Sequence, residues 1–169
     1  MRMVDRGAVG AVVELSRSSD LGTRKTCAVI LCNISTQRVN HAGAMRAGAA
    51  LALFSLAIAD LPDDMRALIA RALRNLSTAL TTRAQLVREG LMPSLSALAR
   101  GGDASVLEDI VAVLSNVANE ESVHVMLVRG GAVPLVNVLV KSAPPRTLVL
   151  VAGIMVNLTR LVHVRAALL

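Results

Sequence analysis

Gly131-Ala132-Val133-Pro134-Leu135-Val136 opens the last of four similar segments, the earlier ones beginning Gly7-Ala8-Val9, Gly48-Ala49-Ala50 and Gly90-Leu91-Met92-Pro93. The four glycines stand 41, 42 and 41 residues apart. A second ladder keeps step with them. Asn33, Asn75, Asn116 and Asn157 recur at 42, 41 and 41 residues, in the phrases Leu-Cys-Asn-Ile-Ser, Leu-Arg-Asn-Leu-Ser, Leu-Ser-Asn-Val-Ala and Met-Val-Asn-Leu-Thr. A third ladder, Leu15, Leu56, Leu98 and Leu139, ends the run after each glycine. Three anchors holding one register over four copies mark an internal repeat, and a period near 40 residues is that of a solenoid.

Each unit reads as three helices. The first is short, as in 83–89 and 123–129, and stops at the glycine, which takes the left-handed conformation at little cost. The second starts just beyond it. Pro93 and Pro134 fall in its first turn, where a missing N–H breaks no helical hydrogen bond. A turn follows, written Ser18-Ser19-Asp20, Leu61-Pro62-Asp63, Gly101-Gly102-Asp103 or Ala143-Pro144-Pro145, and residues of these kinds supply turns and N-caps. The third helix runs slightly past the Asn. Positions minus six, minus five, minus two and plus one from it are apolar in every copy, for example Ile110, Val111, Leu114 and Val117, which makes a helical stripe.

The phrases Gly131-Ala132-Val133-Pro134-Leu135-Val136 and Ala72-Leu73-Arg74-Asn75-Leu76-Ser77 resemble the second-helix start and third-helix end of armadillo repeats. These are three-helix units of about 40 to 47 residues. The resemblance covers nearly the whole chain and implies an all-α right-handed superhelix. HEAT repeats are a similar two-helix solenoid, but the short helix before each glycine and the recurring Asn favour armadillo. The expected units are roughly 1–40, 41–81, 82–121 and 122–163, with the start of a further helix at 164–169, as a single solenoid. Both ends fall inside short first helices without polar caps. The expectation is therefore an excerpt of a longer array, or a piece that packs end-on with further repeats or another chain.

Composition narrows the function. Of 169 residues 54% are apolar and only Phe54 is aromatic. That excludes a disordered tail and removes the aromatic platforms of single-strand readers. The longest uncharged runs, 47–59 and 147–159, are 13 residues each, short of the roughly 20 needed to span a bilayer, so no membrane insertion is expected. Net charge is +6, with sixteen Arg and two Lys among the cations; nucleic acid is not the expected partner, because the cationic positions lack Lys and aromatic neighbours. Cys27 and Cys32 lie on different faces of one helix and read as reduced thiols of an intracellular, cytoplasmic protein.

The Asn ladder is the leading candidate site. An amide offers both donor and acceptor. Packed helices stand roughly 8–10 Å apart and an extended strand advances about 6.6 Å per two residues, so successive Asn side chains can meet an extended peptide at every second or third residue. The resemblance implies the same: third helices line the family's concave groove, and the Asn contacts ligand backbone in its nuclear-import adaptors. The alternative is that each Asn caps or bridges helices within its own unit. Those adaptors carry a Trp four residues before the Asn, and here Val29, Arg71, Ala112 and Gly153 stand there. Eight before it come Lys25, Ala67, Glu108 and Val149. Lys25 and Arg71 give a mildly basic groove start, so the expected partner segment is acidic or mixed apolar.

A basic ridge is the second candidate. Arg46, Arg88 and Arg129 stand two before their glycines, and His41, Arg83, His124 and Arg165 form a row about seven before. Its expected partner is an acidic protein surface, although a cation in a helix's last turn also favours the dipole by about 0.3–1 kcal/mol. Nothing points to catalysis, metal or cofactor. The three His are widely separated, the acid pairs Asp63-Asp64 and Glu120-Glu121 lie in inter-helix loops, and Gly101-Gly102 lacks the context of a phosphate loop. The sequons at Asn33, Asn75 and Asn157 are by-products of the repeat. The expected function is a protein-binding scaffold holding a peptide or partner helix on the third-helix face. Its rival is an architectural component of a cytoskeletal or ciliary assembly with no free-peptide ligand.

Overall fold

The computed structural model describes residues 7–59 and 62–160. Eleven α-helices follow in order: α1 Ala8–Leu15, α2 Leu21–Ser35, α3 Arg38–Arg46, α4 Ala49–Ile58, α5 Asp63–Ser77, α6 Leu80–Arg88, α7 Leu91–Ala99, α8 Ala104–Ala118, α9 His124–Arg129, α10 Ala132–Ser142 and α11 Leu148–Thr159. Short 3₁₀ turns, Glu121–Val123 and Pro145–Thr147, precede α9 and α11. The expected helix at the chain start, Arg165 and the helix start at 164–169 lie outside the described residues.

Three parallel stacks build the solenoid. Third helices pack α2 on α5, α5 on α8 and α8 on α11; second helices pack α1 on α4, α4 on α7 and α7 on α10; first helices pack α3 on α6 and α6 on α9. One continuous apolar core runs between the stacks, from Val9 to Leu158. Each unit thus buries its stripe against its neighbours as well as within itself. Among the described residues no helix is long and apolar enough to cross a membrane.

The ladders become geometry. Gly7, Gly48, Gly90 and Gly131 have φ of 74°, 85°, 109° and 99°, a region other residues enter only with strain. At Gly48 and Gly131 the chain swings from first helix to second, bending by 79° between α3 and α4 and by 83° between the α9 segment and α10. Every third helix ends two residues past its Asn. Breaks between units therefore fall near 36–37, 78–79 and 119–120. The divisions read from the ladders at 40/41 and 81/82 lie inside α3 and α6, and 121/122 lies inside a 3₁₀ turn, because a period fixes spacing and leaves the starting point free. Leu56, Leu98 and Leu139 are buried, whereas Leu15 is 54% exposed; α1 has no described unit before it.

Two third helices start on a carboxylate cap. Asp20 accepts from the Thr23 N–H at 2.6 Å and Asp103 from the Val106 N–H at 2.9 Å. The side-chain bond from Thr23 holds the Asp20 carboxyl below its ordinary range, and the Val106 backbone bond does so for Asp103. Lowered folded-state values mean that this stabilisation is present above the unfolded carboxyl value of about 3.9 and is lost as pH falls through the folded values. A thermal-melt series should therefore be flat above about pH 5 and decline below about pH 4. Asp103→Ala should flatten part of that decline; an unchanged profile would show that the cap contributes nothing.

Candidate functional site

The Asn row lies on the stacked third helices, in their last turns. Its side chains tie units together. The Asn75 amide donates to Ser35 Oγ at 3.0 Å and the Asn116 amide to Ser77 Oγ at 2.9 Å. The two serines in turn donate to Cys32 O and Arg74 O at 2.6 and 2.7 Å. In the next unit Ala118 replaces the serine, and Asn157 donates instead to Asn119 Oδ1 at 2.9 Å. The alternative bridging role thus runs between units rather than within one. Asn33 differs: it is exposed, and among the described residues its side chain has no hydrogen-bond partner. Each bridging amide keeps its carbonyl oxygen and a second N–H.

A bridge of this kind is worth roughly 0.5–1.5 kcal/mol. The pair Asn75→Ala with Asn116→Ala should therefore lower stability by about 1–3 kcal/mol in urea titration, while Asn33→Ala leaves it unchanged. Equal effects at the three positions would sink the bridging assignment.

The groove is less basic than its sequence suggests. Lys25 pairs with Asp64 of the next third helix, which holds the Asp64 carboxyl below its ordinary range. Arg71 reaches Asp109 at 3.9 Å, and Arg74 donates to the same carboxylate at 2.8 Å. Arg146 pairs back to Glu108. Lys25 is thus paired across a unit boundary, whereas Arg71 and Arg74 share the one Asp109 carboxylate, so the start of the groove keeps a net positive charge, smaller than the sequence alone suggests. Asp109, 5% exposed, is the residue the sequence reading missed; its equivalents Thr26, Leu68 and Leu150 are uncharged, and that break in the column was the available signal. Beyond Arg71 the row at minus four continues with half-buried Ala112 and exposed Gly153, and Val149 on the same face of α11 is 81% exposed. The far end of the groove is apolar.

The basic ridge divides in two. His41 and His124 are each 1% exposed, and their Nε2 atoms lie 2.7 Å from Ser35 O and Ala118 O. A carbonyl only accepts, so Nε2 carries the hydrogen; both Nδ1 atoms are buried without a partner. Arg83 does the same work in its unit, donating from Nε to Ser77 O at 3.0 Å. These three side chains satisfy the last carbonyls of the preceding third helix. Neither His is part of a surface ridge, and Arg83 is half-buried against backbone. Arg46, Arg88 and Arg129 are exposed in the last turns of α3, α6 and α9, as the ridge reading expects.

No protein-family model matches this sequence, and no curated protein matches it. Solved structures do match. An engineered protein superposes with a TM-score of 0.77 at 24% identity, over 93% of this chain and 64% of its own. A designed armadillo repeat protein gives 0.76 at 19% identity, over 92% and 66%. Another, in complex with the peptide (KR)4, gives 0.77 at 18% identity over the same shares. The fold is therefore that of an armadillo-like repeat solenoid. The chain spans just under two thirds of the length of these proteins.

Proposed function

We propose that this chain is a protein-protein interaction scaffold, binding rather than catalytic, whose third-helix face holds an extended peptide. The observation that carries the reading is the single-file row Asn33, Asn75, Asn116 and Asn157 on consecutive stacked helices, three of them held in place by a bond to the preceding unit. Held amides meet a ligand backbone without first losing rotamer freedom, which favours affinity. A designed protein with this fold in complex with a peptide supports a peptide ligand. Its ligand is wholly basic, whereas here Arg71 stands in the row and no Trp is present. The segment this groove suits has apolar and acidic side chains, the apolar ones lying over Ala112, Gly153 and Val149. Two buried free thiols, Cys27 and Cys32, support placement in the reducing cytoplasm.

The test is to pan a random peptide library on the full chain and assay the selected peptides against three variants. Asn33→Ala and Gly153→Arg each change the groove without removing a contact; a Cβ at Gly153 meets nothing within 4 Å. Both should weaken the selected peptides, and Arg46→Gln should not. Peptides indifferent to both groove variants would overturn the reading. The amide bridges also favour the rival, an architectural section of a cytoskeletal or ciliary assembly, since side chains joining units need no ligand. In that case crosslinkers placed at Arg71 and Asn116 would capture no extended segment from a cell extract, while the ridge and the ends would.

A further inference from the structure

The geometry points to a second interaction surface, on the first-helix edge, that takes an acidic amphipathic α-helix of a partner protein with carboxylates seven residues apart. Several cations on the third-helix side are paired: Lys25 with Asp64, Arg71 and Arg74 with Asp109, Arg146 with Glu108. Arg46, Arg88 and Arg129 are not. All three are exposed, and among the described residues none makes an ion pair or side-chain hydrogen bond. The acid nearest in sequence, Glu89, accepts from the Gln85 amide at 2.6 Å. The last turns of α3, α6 and α9 thus each carry a guanidinium that no described carboxylate pairs.

Spacing selects the partner. The arginines occupy equivalent positions on α3, α6 and α9, which pack in sequence, so they repeat at the roughly 8–10 Å of packed helices. Seven residues of α-helix advance about 10.5 Å and return to within about 20° of the starting face. A heptad of carboxylates thus meets all three arginines from one side of one helix. An extended strand presents like-facing residues about every 6.6 Å and follows this spacing only by mixing two- and three-residue steps, whereas a heptad keeps one face throughout. One turn before each arginine, on the same face, lie Ala42, Ala84 and Val125, respectively exposed, half-buried and 39% exposed. They form a shallow apolar strip beside the cations, where the same partner helix can seat small apolar residues.

The probe is a labelled, alanine-based helical peptide with Glu at i, i+7 and i+14. Its controls carry Gln at those positions, or the same three Glu at every fifth position. Fluorescence anisotropy with the full chain at low salt should show the heptad peptide binding about tenfold tighter than either control, and losing that advantage as salt screens the charges. R46Q/R88Q/R129Q should abolish the difference with helicity retained, because these side chains bond nothing; the corresponding triple Lys variant should keep most of it. Gly153→Arg, in the groove, should not alter it, so failure here and failure of the groove reading are separable. Equal binding by the Gln triple variant, or by the heptad and every-fifth peptides, overturns the proposal. So does an oligonucleotide that displaces the peptide through the same three arginines.

Discussion

Leu73→Ala should destabilise the chain by about 2–5 kcal/mol, the largest effect expected of a single truncation here. Leu73 is fully buried in α5, which packs between α2 and α8, so helices on both sides hold the space it would vacate. Relaxation into the hole is restricted, and the loss joins the transfer term to a cavity term. For a chain of this size about 2–4 °C of melting temperature goes with each kcal/mol. The variant should therefore melt roughly 4–20 °C lower. Repeat units are coupled only to their neighbours, so damage to the second unit should also broaden or split the urea transition. Val149→Ala, at a position 81% exposed, should stay within about 0.5 kcal/mol. Similar costs at Leu73 and Val149 would refute the packing described.

His124→Ala follows, at about 2–4 kcal/mol. The imidazole is 1% exposed, and its Nε2 supplies the hydrogen bond to the carbonyl of Ala118, the last residue of α8. Truncation leaves that carbonyl unpaired and opens a cavity, and either loss alone is of the order of 1–3 kcal/mol. The neighbouring unit supplies a rescue. Arg83 holds the equivalent carbonyl of Ser77, so His124→Arg should recover most of the loss in a denaturant titration. If His124→Ala costs no more than an ordinary surface change, or His124→Arg is as damaging, the carbonyl-capping assignment fails.

Both predictions separate what a sequence period reveals from what it hides. Which residues are equivalent was plain: the glycines at positive φ, the apolar stripe about each Asn and the ends of the third helices all follow from spacing of 41 and 42 residues. Local chemistry suffices for these, since a left-handed turn selects glycine and a buried helix face selects aliphatics. His41 and His124 show the limit. Their spacing places them in one row, which by sequence reads as an outer ridge; the structure turns it inward onto backbone carbonyls. Periodicity states that residues share a face and is silent on what that face meets.

The sequence by itself determined the repeat, its three helices, the turns between them and the residues of the core. Only the tertiary structure decided the pairings: Asn75 with Ser35, Asn116 with Ser77, Asn157 with Asn119, Lys25 with Asp64 and Arg74 with buried Asp109. Each joins side chains 35 to 40 residues apart. Such contacts depend on how far one unit is rotated against the next, which is set by the interlocking of aliphatic side chains along the whole stack. That rotation sets Lys25 against Asp64 and Arg74 against Asp109, while among the described residues Arg46, Arg88 and Arg129 on the first helices meet no carboxylate, so these pairings are a property of the packed solenoid and not of any one repeat.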